Sequence, residues 1–337
     1  MAQPPTDNDS LPPTDSDSTN AERLARWREQ SDFDVEHWYE LLRDHTFPTA
    51  IVPLPKEVAA AVQAAYGHRF LERAEPTAEQ QAALQEYTAH LQDECNKLGR
   101  DGFFVRLGSR SPKDADAATA TRQAYEAELE RRAEEDGAED GYESVDEACN
   151  AQLRAYFEVA HRALRVSTAE EAVALLCTSE RVYRDLERSL EGGVDMSVCL
   201  RAWQPSLRQE YEFRGFVCGG TLTQLSQYNP YVHMPDLVEA RDATLATIER
   251  FWRECVDPLL RTRWDAYVVD FALLGSGDVL IVELNPFDEQ TEAGLFTWED
   301  PEDRALLERG PLGLRMATQP RPRMQATIQG FTRALRE

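Results

Sequence analysis

Lysine is nearly absent from this chain: Lys56, Lys97 and Lys113 are the only three among thirty-six basic residues, so arginine carries almost all of the positive charge. Positive charge is itself scarce. Sixty-one acidic residues leave a formal net charge of -25, which repels nucleic-acid backbones and acidic lipid surfaces and makes any anion site a local exception. No stretch approaches the roughly twenty apolar residues that span a bilayer, and the opening MAQPPTDNDSLPPTDSDS has neither the basic start nor the apolar core of a signal peptide. These absences predict a soluble, cytoplasmic monomer with no membrane or nucleic-acid partner. The six cysteines are scattered, with no CxxC pair and no zinc-like spacing. HExxH, GxSxG and GxxxxGK[ST] are missing as well, which sets aside zinc proteases, serine hydrolases and P-loop enzymes.

What is present reads as two lobes. Residues 1–20 are rich in Pro, Asp, Ser and Thr and predict a disordered tail. Helical patterns follow at about 21–30 and 34–44, then an extended TFPTAIVPLP, a helix opened by Pro55, and a long amphipathic helix closed by Gly99. The strand FFVRL and the loop GSRSPKDA come next. About 116–165 is rich in Ala, Glu and Arg around an acidic break, and charge at this density predicts an exposed helical hairpin inserted into the first lobe. Beyond residue 195 the strands VDMSVCLRAWQ, YEFRGFVCGGTLTQLSQYN, WDAYVVDFALL and DVLIVELNPF predict a largely antiparallel sheet with helices on it. The expected fold is α+β, with a first lobe over 21–195 and a second over 196–337.

In IVELNPF, Glu283 and Asn285 share one face of a strand. If GSGD is a four-residue loop, Leu274 pairs with Val279 and Asp270 falls opposite Glu283. Opposed carboxylates about 5 Å apart at Cβ repel unless a cation lies between them. One acid alone is better explained by ordinary hydrogen bonds, but three convergent oxygen ligands favour magnesium, which completes its shell with nucleotide phosphates. Phosphates in turn need cations. FVRLGSRSPKDA supplies Arg106, Arg110 and Lys113, and EFRGFV places Arg214 in a strand interior, where its charge needs a partner.

Together HWYELLRDHTFPTAIVPLP, FVRLGSRSPKDA, LRAW, EFRGFV, VVDFALL and ELNPFDEQTEAGLFTWED resemble the cell division cycle protein 123 family, over most of the chain from about Val35 to Leu307. That resemblance implies an ATP-grasp fold whose two lobes clasp ATP. Adenine would lie near Leu200, Arg201 and Trp203, the phosphates against Arg106, Arg110, Lys113 and Arg214, and Mg2+ on Asp270, Glu283 and Asn285. Arg106 stands where the family carries lysine, Tyr228 stands where it carries arginine, and 116–165 is foreign to the familiar members. Eukaryotic members bind the gamma subunit of translation initiation factor 2 and promote assembly of that complex. An ATP-dependent assembly factor is therefore the first expectation. An ATP-grasp ligase or phosphotransferase, with Arg110, Ser111 and Lys113 facing an anionic acceptor, is the alternative.

Overall fold

The computed structural model describes residues 25, 27–99, 101–138 and 141–336, so the tail expected over 1–20 lies outside the described residues. After helical residues at 27–30, helix α1 (Val35–Leu42) buries Val35, Trp38, Tyr39 and Leu42, a spacing that puts all four on one face. Strand β1 (Thr49–Leu54) and helices α2 (Lys56–Phe70) and α3 (Ala78–Leu98) follow. Thr77 and Gln80 satisfy each other's backbone donors at the start of α3, and Gly99 ends it at φ 113°. After β2 (Phe103–Leu107) come α4 (Arg122–Glu135), α5 (Val145–Arg162), the short β3 (Arg165–Val166), α6 (Ala169–Thr178), capped by Thr168, and α7 (Glu180–Gly192).

Strand β4 (Met196–Ala202) pairs antiparallel with both β1 and β2, giving a first sheet in the order β1-β4-β2-β3. A division at 195/196 assigns β4 to the second lobe; its hydrogen bonds join it to the first. Conversely, α1 packs into the core of the second sheet beside Phe213, Leu225 and Phe271. Sheet membership depends on partners distant in sequence, which local pattern does not reveal.

The second sheet has the order β8-β7-β5-β6-β9, from β5 (Glu212–Cys218), β6 (Thr221–Gln227), β7 (Tyr267–Leu273), β8 (Val279–Asn285) and β9 (Gly313–Arg315). The β5–β6 turn is made by Gly219 and Gly220 at φ 58° and 68°, the left-handed pair that a two-residue hairpin demands. Helices α8 (Pro235–Glu239), α9 (Arg241–Phe251) and α10 (Asp257–Leu260) connect β6 to β7, with a π-turn at Trp252–Val256. Beyond β8, Phe287, Phe296 and Trp298 pack edge-on against Phe216, so the LFTWED stretch is an aromatic cap on the sheet. Helix α11 (Pro301–Arg309) follows that cap, and α12 (Gln325–Thr332) closes the chain.

The hairpin α4–α5 corrects one expectation. Glu126, Glu130, Glu134, Glu135 and Arg162 face solvent as expected, but Glu128, Arg132, Arg154 and Glu158 are buried. Arg132 is paired with Glu128 at 2.9 Å and with Glu210 at 2.8 Å, while Arg154 and Arg208 reach the same Glu210 at 3.0 and 2.8 Å. The opposite face of α5 packs Cys149, Leu153 and Phe157 against Ile328 and Phe331 of α12. Dense charge was compatible with burial because the partners lie on one another and on Glu210, in a turn distant in sequence.

Candidate functional site

Between the two sheets lies a cavity of about 710 Å³, roofed by α5 and α12. Strand alternation builds its floor. Glu212 and Arg214 point to one face of β5, opposite Ala272 and Asp270 of β7, and Asp270 in turn pairs with Glu283 of β8. That last pairing matches the spacing argument, but the turn does not. Leu273, not Leu274, pairs with Val279, and a bulge between Asp270 and Phe271 restores the register. Val282 is the extra residue on β8; without the bulge Asp270 would face Val282 in place of Glu283.

The cations that the two carboxylates demand are supplied by the protein. Arg214 holds Asp270 in a two-pronged pair, Nε to Oδ1 and Nη2 to Oδ2, both 2.8 Å, and donates from Nη1 to the Glu292 carbonyl. Arg106 reaches across from the first sheet, its Nη1 2.6 Å from Glu283 Oε2. Burial works against the charge on each arginine, but the facing carboxylate outweighs it and holds both above the ordinary arginine value. Burial also opposes ionisation of Glu283, yet Arg106 and then Lys113 keep its carboxyl well below the usual range. Asn285, the third of the expected trio, sits at the end of β8 and does not line the cavity; its buried Nδ2 has no hydrogen-bond partner among the described residues.

The other expected residues divide. Arg106, Arg110, Lys113, Arg201 and Trp203 line the cavity, as do Asp270 and Glu283, whereas Leu200 does not. Leu200 is fully buried in the core of the first lobe on a strand bonded at both edges. Arg214 lies one layer beneath the wall, behind Asp270, with its guanidinium 4.9 Å from the Tyr228 ring. Lys113 Nζ meets the Tyr228 hydroxyl at 3.1 Å, and Arg110 Nε lies 3.3 Å from Asp185. Arg201 is a staple between the lobes: it donates to the Val282 carbonyl at 2.5 Å and to Thr46 Oγ1 at 2.7 Å, its guanidinium 4.7 Å from the Phe47 ring centroid. Burial, with Arg106 nearby, brings its pKa down to about 9.

Three contributors were not anticipated. Glu212 faces the cavity, and burial pushes its carboxyl up to about 7, with Lys113 pulling the other way and Asp270 and Glu283 adding to the rise. Its position two residues before Arg214 on the same strand face was a signal available in the sequence. Gln209 and His161 also line the cavity. Helix α5, which carries His161, belongs to the segment that looked like a detached insertion.

Comparison with known proteins fits this architecture. The chain resembles an eIF2 assembly protein of Candida albicans, 26% identical over 154 residues, which is 42% of this chain and 43% of that protein, so less than half of the relative's length is matched. Its fold is that of Cdc123 from Schizosaccharomyces pombe, with a TM-score of 0.57 at 19% identity over 85% of this chain and 95% of the other. A C-terminally truncated form of the same protein gives 0.57 at 20% identity, covering 86% of this chain and 97% of that one. The model of the family described as D123 matches residues 154–329, and that span begins within α5, so the second half of the hairpin is part of the family's pattern. Because the match covers more than half of the chain and takes in β4 to β9 with both carboxylates, the protein belongs to the D123 family.

Proposed function

We propose that this protein binds ATP with Mg2+ between its two sheets and acts as an ATP-dependent assembly factor for a translation initiation factor 2 complex, contacting the gamma subunit. The observation that carries the nucleotide reading is the cavity itself. Two carboxylates on adjacent strands, Asp270 and Glu283, meet Arg106, Arg201 and Lys113 inside a protein whose net charge otherwise repels anions. Asp270, Glu283 and Asn285 offer hard oxygen ligands of the kind magnesium takes, and the ion would compete with Arg214 for Asp270 and with Arg106 for Glu283. When bound, such an ion supplies charge neutralisation for a polyphosphate.

The chain's own residues do the rest. Arg106 keeps Glu283 ionised, Arg214 holds Asp270 in place by its two-pronged pair, and the guanidinium of Arg106, which lines the cavity, is also a donor of the kind that meets phosphate. Arg106, Thr46 and Arg201 tie the first sheet to β8, so a nucleotide spanning the cleft would fix the relation between lobes. The partner assignment extends to this chain what the name of the Candida relative says of that protein. A phosphotransferase is the second reading, favoured by Glu212: a cavity carboxyl with a pKa near 7 is suited to accept a proton at neutral pH. Calorimetry of ATP with and without Mg2+, followed by co-purification with the initiation factor 2 gamma subunit, tests the proposal. Metal-dependent ATP binding and ATP-dependent capture are expected. ATP binding without capture would remove the partner, and no ATP binding would remove the nucleotide.

A further inference from the structure

At the hairpin end of the cavity two polar atoms are left unsatisfied by the protein. Among the described residues Gln209 Oε1 and His161 Nε2 are both buried without a hydrogen-bond partner, and both residues line the cavity. An unpaired buried polar atom costs about 1–3 kcal/mol, so each is a vacancy for a ligand atom. Rings line the same part of the cavity. His161 lies 4.9 Å from Trp203 between centroids, and Tyr156 stacks on Phe331 at 4.8 Å with Phe157 set edge-on to the same ring. A slot walled by rings, with polar atoms at its margin, suits a flat heterocycle.

The chemistry of the two atoms narrows the heterocycle. Gln209 Oε1 is an acceptor, so it is satisfied by a ring amino group and repelled by a ring carbonyl. Burial, aided by Lys113 and Arg162, brings the His161 pKa down to about 4, so its imidazole is neutral at pH 7 and its Nε2 donates or accepts according to the tautomer. The backbone beneath is held: Gln209 lies between Arg208 and Glu210, and Glu210 is gripped by Arg132 and Arg154 of the hairpin.

We propose that α5 and the turn at Gln209–Tyr211 form a base-reading wall, in which Gln209 and His161 select a nucleotide whose ring bears an amino group over one bearing a carbonyl at that edge. The inference rests on the nucleotide reading above and deepens it, giving the hairpin the choice of base. Titrations of ATP, GTP and inorganic tripolyphosphate, each with Mg2+, against the native chain, Gln209→Met and His161→Phe test it. The phenyl ring keeps the contact with Trp203 and removes only the nitrogens. The native chain should prefer ATP to GTP by about tenfold or more, and Gln209→Met should lose about tenfold in ATP affinity together with most of that preference. His161→Phe should lose less in the same direction, and tripolyphosphate should bind all three alike. Equal binding of ATP and GTP by the native chain, or unchanged ATP binding in both variants, overturns the assignment. A matching loss for tripolyphosphate places the effect in the fold of the wall and overturns it too. Failure of every ligand sinks the nucleotide reading itself and the base wall with it.

Discussion

Replacing Arg214 with methionine isolates the strongest electrostatic contact in the site. The guanidinium is 7% exposed and Asp270 only 1%, so the pair is made in a region that water does not screen. Methionine fills much of the arginine's volume and removes both prongs to Asp270 and the bond to the Glu292 carbonyl. Asp270 is then a buried carboxylate beside Glu283 with no counter-charge of its own. Breaking one partner of such a pair costs about 3–5 kcal/mol, and the stranded Glu292 carbonyl adds about 1 kcal/mol. That is a large share of the roughly 5–15 kcal/mol that holds a domain folded. Arg214→Met/Asp270→Leu removes both charges and should recover most of the loss, because two apolar groups of matching size replace a buried ion pair at little net change. Urea unfolding followed by tryptophan fluorescence measures all four corners of the cycle, and the coupling should be about 3 kcal/mol. A single-mutant loss below about 1 kcal/mol, or losses that simply add, would refute the account of Asp270 as a carboxylate dependent on Arg214.

Asp270→Asn with Glu283→Gln should abolish Mg2+-dependent ATP binding, and unchanged affinity by calorimetry would remove the metal assignment. Glu210→Ala leaves Arg132, Arg154 and Arg208 without their shared anion and should destabilise by about 3–5 kcal/mol, with hydrogen exchange rising in α5 but not in β5 or β7; uniform exchange across the chain would count against a local brace. Asp34 is pushed up to about 8 by burial and then by Glu36 and Asp185. The folded chain therefore holds a proton that the unfolded chain releases near pH 4, and the stability this confers is present below pH 4 and lost as pH rises to about 8. Asp34→Asn should flatten that decline and raise the melting temperature at pH 8 more than at pH 5; an equal effect at both would show that Asp34 does not titrate with folding.

Much of the floor of the site was legible because strand alternation is local. FFVRL became β2 at its expected ends, and the facing of Asp270 and Glu283 followed from counting along two strands. The count succeeded through a bulge it did not contain: Val282 absorbed the residue that a longer turn displaced. What could not be read was pairing over distance. Arg106 and Glu283 are 177 positions apart, and Arg132 meets Glu210 only after the chain has run through α5 and on past the end of β4. Residue type announced that Arg214 needed an anion, but the choice between a phosphate and Asp270 lies in the register of β5 against β7. The hairpin misled for the same reason, since its acids and arginines look alike whether they face water or one another.

Strand β8 is the outer strand of its sheet, seven residues long, and among the described residues one side of it has no neighbouring strand. The contacts described as ties between lobes also cover that side: Thr46 donates to the Ile281 carbonyl at 2.6 Å and Arg201 to that of Val282. An uncovered strand edge is a template for another chain, and proteins blunt such edges with charge or with a covering segment. Arg201 therefore guards against self-association as well as joining the lobes. Arg201→Ala should uncover IVELN and raise the rate of thioflavin-positive aggregation on mild heating, and a variant that unfolds earlier yet stays dispersed would show that the edge was never at risk.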